Sequence, residues 1–248
     1  MSGHSKWATI KHQKGAKDKV RAKVFAKVLR QVEVAAREGG GDMNANASLR
    51  TMYQKARDAS VPVDTIERAI KRGTGDLEGV IYESITYEGY APGGIAVLVD
   101  VLTDNRNRTG SEIRFAFSKH GGNLGEPGSV AYLFDKQGVV VVDAERYSED
   151  DLMPAIEAGA EDIAAEEGIL EITTEPADLT AVRAALEEAE IELQSAEIAW
   201  LPSVRVPVAE DDAAKLMRLI DALEDNDDVD SVHANFDIDA EVLERVAG

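Results

Sequence analysis

The sequence predicts an α+β multidomain fold: an N-terminal three-helix domain followed by two ferredoxin-like α+β domains, one inserted in the other. Three observations predict it. Apolar residues recur at helical spacing through the first part of the chain, then give way after residue 80 to strand-like runs alternating with helices. The length of 248 residues exceeds a usual single domain of about 150. Charge divides along the same line: residues 1–72 carry 16 Lys+Arg against 7 Asp+Glu, and residues 73–248 carry 11 against 40, so a segment of net +9 precedes one of net −29.

Each element has a local reason. Residues 1–18 show no sustained period and contain Gly3 and Gly15, which predicts an irregular arm. A helix begins at Val20, with Val24, Val28 and Val32 on one face, Phe25, Leu29 and Ala36 beside them, and Gly39-Gly40-Gly41 as its end. A second helix over 45–59 uses Leu49, Met52, Tyr53 and Ala56. A third starts near Pro62, carries Asp64 and Glu67 early and Lys71 and Arg72 late, as the helix dipole favours, and stops at Gly73. Strands are expected at 84–87 and 95–101, joined by the turn-rich run 89–94, then a helix over 109–120 and a strand over 129–134. Strand 139–142, helix 149–158, strand 169–173, helix 179–189 and strand 191–200 follow, with Pro154 awkward inside its helix. Strand 204–208, helix 213–223 and strand 231–236 close the pattern. The economical division is 1–75 as arm plus helical bundle, 76–137 with 203–248 as a discontinuous α+β domain, and 138–202 as an inserted acidic α+β domain.

Composition narrows the function. With no cysteine, disulfides, thiolate metal sites and a cysteine nucleophile are excluded. No apolar run approaches the ~18 residues of a membrane span, and the start lacks a secretory apolar core, so a cytoplasmic protein without a membrane partner is expected. His4, His12, His120 and His233 lack the i, i+4 spacing of paired ligands, so no metal is expected. The run Asp225, Asp227, Asp228 and Asp230 lacks the spaced ligands and glycine of a calcium loop and reads as a solvated acidic loop. The glycine run 121–128 follows a helix and precedes a strand, the reverse of a dinucleotide loop; it and 89–94 read as turns. No nucleophile–base constellation stands out, so no catalytic residue, cofactor or enzymatic activity is expected.

Basic residues carry the chemistry instead. His4, Lys6, Trp7, Lys11, His12, Lys14, Lys17 and Lys19 continue into Arg21, Lys23, Lys27 and Arg30; residues 1–30 hold 9 Lys+Arg and 1 acid. Lys and Arg release the counterions condensed on a nucleic acid, and nine phosphate contacts would give a log–log salt slope of roughly −8 on duplex DNA or roughly −6 on single strands. Trp7 offers a face for an exposed base. The competing reading is a solvated arm, or one folded back on the chain's own acidic body. Arg106 and Arg108, beside a helix N-terminus, suit a phosphate, or belong to an ordinary turn capped by Thr109 or Asn107.

Several stretches resemble a known family. They are Gly3-His4-Ser5-Lys6-Trp7, Ile66-Glu67-Arg68-Ala69-Ile70-Lys71-Arg72-Gly73, Tyr87-Glu88-Gly89-Tyr90 with Pro92-Gly93-Gly94, Leu102 to Thr109, and Gly121-Gly122 through Gly128-Ser129-Val130. These are similar to signatures of the YebC-type proteins, which include the mitochondrial translational activator of cytochrome c oxidase, over nearly the whole chain. Tyr132 stands where that family often has tryptophan, and Lys19-Val20-Arg21-Ala22 replaces a more usual Ala-Lys-Arg-Gly-like run. The resemblance implies three domains and a cytoplasmic role in gene expression. That role is either DNA-binding transcriptional regulation or ribosome binding that relieves stalls at sequences such as proline runs. A net −29 body is repelled by duplex DNA, whereas eighteen extended residues can reach at most ~60 Å into an RNA-lined cleft. Ribosomal RNA near the peptidyl-transfer site is therefore the favoured partner, with basic ribosomal proteins meeting the acidic body. Promoter DNA and a purely protein-binding acidic module are the alternatives.

Overall fold

Valine and alanine at helical spacing build the first part of the computed structural model, which describes residues 17–166, 168–239, 242 and 245. Helices α1 (Lys17–Gly39), α2 (Ala47–Asp58) and α3 (Val63–Thr74) enclose Val28, Val32, Ala36, Leu49, Ala56, Ile66 and Ala69. The expected stripe on α1 holds from Val28 onward, but Val24 is exposed. The α1 side chains around it reach toward a distant acidic loop instead of toward α2 and α3. Asn46 caps α2 by accepting from the Leu49 amide (3.0 Å), and its own amide donates to the carbonyls of Ala35 (2.7 Å) and Gly40 (2.8 Å), fixing where α1 ends.

The third helix corrects one expectation. Gly73 does not stop it; Gly75 does, at φ 88°, in the left-handed region that glycine adopts without strain. Gly73 is a close-approach residue. A Cβ there would lie directly against the Glu33 carbonyl oxygen and 2.7 Å from the Ala36 Cβ, and the neighbouring Arg72 Nε donates to Glu33 Oε1 (2.6 Å) across the same α1–α3 seam. Alanine normally stabilises a helix over glycine by about 1 kcal/mol. Here the sign reverses: Gly73→Ala is expected to destabilise by about 1–3 kcal/mol through overpacking against backbone that cannot rotate away, read as a lowered thermal midpoint.

The remaining elements are β1 (Glu83–Ala91), β2 (Ile95–Thr103), α4 (Arg106–Lys119), β3 (Asn123–Leu124), β4 (Phe134–Asp143), α5 (Met153–Glu157), β5 (Ala160–Glu166), β6 (Ile169–Thr174), α6 (Leu179–Glu188), β7 (Leu193–Pro202), β8 (Val206–Pro207), α7 (Glu210–Glu224), β9 (Val229–Ala234) and β10 (Phe236–Asp237). They belong to two compact units. One spans 134–203; the other joins the helices and 82–133 to the chain from 204 onward.

In the discontinuous unit the sheet order is β3-β1-β2-β9, antiparallel throughout. Val97, Val99 and Val101 of β2 pack with Ile113 and Phe117 of α4 and with Leu216, Ile220 and Leu223 of α7, so both helices cover one face. On the other face Glu88 accepts the amides of Gly128 (2.6 Å), Val130 (2.7 Å) and Ala131 (2.8 Å). Those amides would otherwise feed a ladder, which is why the expected strand over 129–134 is instead a turn followed by a short 3-10 segment, Ala131–Leu133. Nor is 89–94 all turn. β1 continues to Ala91, and Gly89 sits within it because the Phe117 ring and the Asn123 carbonyl close on its α-carbon.

Burial by itself would raise the Glu88 pKa, but the amides of Gly128, Val130, Ala131 and Ser129 together outweigh it and hold the carboxyl below its ordinary value. A depressed folded pKa contributes stability above the unfolded value of about 4.3 and loses it as pH falls through the folded one. The stability difference between the wild-type chain and Glu88→Gln is therefore expected to be largest at neutral pH and to shrink below about pH 4, measured by urea unfolding across pH.

The unit over 134–203 runs βαββαβ with sheet order β5-β6-β4-β7, all neighbours antiparallel, which is the ferredoxin-like arrangement. Val140, Val142, Leu170 and Ile172 pack against Leu152, Ala155, Val182 and Leu186. The helix expected over 149–158 is divided into a 3-10 turn, Asp150–Leu152, and the short α5, which places Pro154 in a first turn where no backbone N–H is needed. β5 escapes sequence reading because its alanine- and acid-rich run lacks β-branched periodicity; pairing with β6 holds it.

Candidate nucleic-acid interface

Of the residues proposed from sequence to meet nucleic acid, His4, Lys6, Trp7, Lys11, His12 and Lys14 lie outside the described residues. For Lys17 and Arg21 it is the α1 backbone that is described. Lys23, Lys27 and Arg30 are fully placed, and the same feature engages all three: the end of α7 and the loop to β9. The last carbonyls of a helix lack intrahelical donors and carry the negative end of its dipole. Lys23 Nζ donates to the Asp225 carbonyl and lies 3.5 Å and 3.7 Å from the carboxylates of Asp225 and Asp227. Lys27 Nζ donates to the Glu224 carbonyl (2.9 Å), and Arg30 donates to the Asp227 carbonyl. Burial, then the Lys23 charge, lowers the Lys27 pKa against the opposing acids.

The loop is only partly solvated as expected: the Asp225 and Asp227 side chains are 80% and 79% exposed, whereas Asp228 is 8% exposed and is the hub of a polar cluster. It accepts from Thr109 Oγ1 (2.6 Å), Thr103 Oγ1 (3.1 Å) and Arg108 Nη2 (2.5 Å), and lies 3.5 Å from Arg30. Burial opposes its ionisation, but the bonds from Thr109, Arg108 and Thr103 win and hold its pKa below the ordinary value. Asp230, nearby, goes the other way: burial raises its pKa despite Lys55 and two bonds from Gln31 Nε2.

Arg106 and Arg108 part company. The cap of α4 is Asn105, which accepts from the Arg108 amide (3.1 Å), in place of the expected Thr109 or Asn107. Thr109 is buried and turned to Asp228. Arg108 bonds Asp104 (2.9 Å) and Asp228, whereas Arg106 is exposed. An open polar cleft of about 500 Å³ lies beside them, lined by Arg30, Tyr82, Asp104, Arg108, Glu112 and the 225–228 loop. The Arg30 guanidinium sits 5.5 Å from the Tyr82 ring centroid. Four cations that could meet phosphate thus already meet oxygens of the same chain, and a polynucleotide reaching them would have to displace carboxylates and carbonyls. Sequence reading missed Asp228; its one signal was an acid lying between an Asn-Asp turn and a β-branched run.

Among the described residues no group of three or more His, Asp or Glu side chains is placed to hold a metal ion, and no helix is long and apolar enough to cross a membrane.

Known proteins place the chain. Residues 5–76 match the TACO1/YebC protein N-terminal domain and residues 82–236 the TACO1/YebC second and third domain. A Rubrobacter xylanophilus protein named "Probable transcriptional regulatory protein" is 57% identical over 250 residues, covering 100% of both chains. A Thermobifida fusca protein of the same name is 53% identical over 249 residues, again covering 100% of both. The crystal structure of a conserved hypothetical protein from Aquifex aeolicus superimposes with a TM-score of 0.83 at 47% identity, covering 91% of this chain and 94% of that one. With both family domains matched in order and relatives alike from end to end, the chain belongs to the TACO1/YebC family.

Proposed function

We propose that this protein is a non-enzymatic, cytoplasmic, nucleic-acid-binding regulator of gene expression that acts as a ribosome-binding translation factor. Its basic arm enters ribosomal RNA near the peptidyl-transfer site and relieves stalling by positioning, without bond-making chemistry. The observation that carries this reading is the segregation of charge: 9 Lys+Arg within residues 1–30 of a chain whose net charge is −20. The acidic body repels a polyanion, so contact concentrates at the arm, while basic ribosomal proteins are natural neighbours for the rest. The relatives' shared name supports a regulatory role.

The second reading is a DNA-binding transcriptional regulator, favoured by the relatives' name. Ultraviolet crosslinking in living cells, with sequencing of attached RNA and DNA and a control lacking residues 1–18, separates them. Arm-dependent crosslinks concentrated in large-subunit ribosomal RNA are expected. Promoter enrichment with ribosomal RNA at background would overturn the translation reading. Partner capture unaffected by the deletion would instead identify a protein-binding module.

A further inference from the structure

Helix α4 carries a surface that none of the preceding contacts uses. Thr109, Ile113 and Phe117 are buried; on the opposite side Ser111, Phe115 and Ser118 face solvent, and Phe115 is 66% exposed. Burying a phenyl side chain is worth about 1.5–3 kcal/mol, so a ring left in water on a helix that buries another phenylalanine suggests that something covers it. The surrounding charge says what. Residues 105–120 hold four basic side chains, Arg106, Arg108, Arg114 and Lys119, and one acid, Glu112, within a body otherwise dominated by acids. Arg108 is committed to Asp104 and Asp228. Among the described residues no carboxylate pairs with Arg106, Arg114, Lys119 or Arg218, the last an exposed residue of α7.

These cations act on common neighbours. Arg106 and Arg114 both favour ionisation of Tyr87, although burial outweighs them and raises its pKa. Burial first, then Lys119 and Arg218, lowers the pKa of His120. The Lys119 ammonium lies 5.8 Å from the Phe115 ring centroid. An exposed aromatic face flanked by cations without carboxylate partners is complementary to an unpaired base with a phosphate on either side. A protein partner would call for a broader apolar patch than one ring supplies.

We propose that the outward face of α4, with Arg218 of α7, is a second polynucleotide contact: it takes a single-stranded segment, stacking one unpaired base on Phe115 and receiving the flanking phosphates on Arg114, Lys119 and Arg218. This rests on the nucleic-acid-binding reading and extends it to a surface remote in sequence from the arm. The same chemistry on a duplex is excluded by the stacking step, since paired bases present no free face.

The test uses the full chain, a labelled oligouridine and a labelled RNA duplex, with fluorescence anisotropy between 50 and 200 mM salt, a range over which roughly six or more phosphate contacts change affinity strongly. Phe115→Ala is expected to weaken single-strand binding about 5- to 100-fold while leaving duplex binding unchanged. The combined Arg114→Ala, Lys119→Ala and Arg218→Ala variant is expected to flatten the single-strand salt slope by about 2, at about 0.7 per contact. Both variants should melt as wild type does, because all four side chains are exposed. Wild-type affinity in both variants, alongside loss of binding when residues 1–18 are deleted, overturns this inference and leaves the arm reading standing. Equal loss on duplex and single strand overturns the stacking assignment. No binding of either probe by the wild-type chain overturns the inference together with the reading beneath it.

Discussion

Asp228→Ala is expected to lower the stability of the discontinuous unit by about 2–4 kcal/mol, the cost of leaving two buried hydroxyls without their main acceptor. Asp228 is 8% exposed, and its carboxylate serves Thr103, Thr109, Arg108 and Arg30 together. Arg108 is partly exposed and can recover water, but the Thr103 and Thr109 side chains are fully buried and lose their shared acceptor, keeping only lesser partners. The same residue's carbonyl accepts the Leu102 amide at 2.9 Å, so the loop it anchors also closes the end of β2. Asp228→Asn preserves shape and hydroxyl bonding and should lose less, about 1–2 kcal/mol. Because the chain has two units, a single unfolding midpoint would blur the effect. Amide hydrogen exchange resolves it: protection over 97–103 should fall while protection over 139–143 stays at wild type. Unchanged protection on β2 would show that the cluster is not what holds this loop. The depressed pKa of Asp228 adds a pH signature. Its contribution is present above the unfolded value of about 3.9 and disappears as pH falls through the folded one.

How much of this was legible in the sequence depends on the distance over which each feature is decided. Periodicity located every helix of the bundle, because a buried stripe repeats within a few residues; α2 departs from expectation by a residue or two. Features settled by a partner far along the chain were hidden. Gly73 looked like a helix stop and Gly75 proved to be one, since only the approach of Glu33 and Ala36 distinguishes a close-contact glycine from a terminating one. The strand expected over 129–134 has suitable residues, but Glu88, some forty positions earlier, takes its amides. Asp228 shares a run with aspartates that look alike in sequence, and its role is created by Thr103, Thr109 and Arg108, more than a hundred positions away. The candidate site divides in the same way. The density of basic residues in 1–30 is plain from composition, whereas the engagement of Lys23, Lys27 and Arg30 by the chain's own acids appears only once α7 ends beside α1.

That division makes a strong functional prediction. Lys6→Glu, Lys11→Glu and Lys14→Glu combined should abolish polynucleotide binding without moving the thermal midpoint, because the change takes the net charge of residues 1–30 from +8 to +2. If each lysine meets one phosphate, the corresponding alanine variant should flatten the log–log salt slope by about 2 on a single strand, at about 0.7 per contact. Lys23→Ala, Lys27→Ala and Arg30→Ala should behave in the opposite sense. These side chains cap the carbonyls at the end of α7 and pair with Asp225, Asp227 and Asp228. Their loss is expected to lower stability while changing the slope by less than the arm variant does. Filter binding over a salt series, paired with thermal melts of both triple variants, reads both quantities from the same preparations. Unchanged affinity in the arm variant would reject the arm as the contact. A larger slope change in the α1 variant would mean that polynucleotide displaces the 225–228 loop and takes its place on the helix.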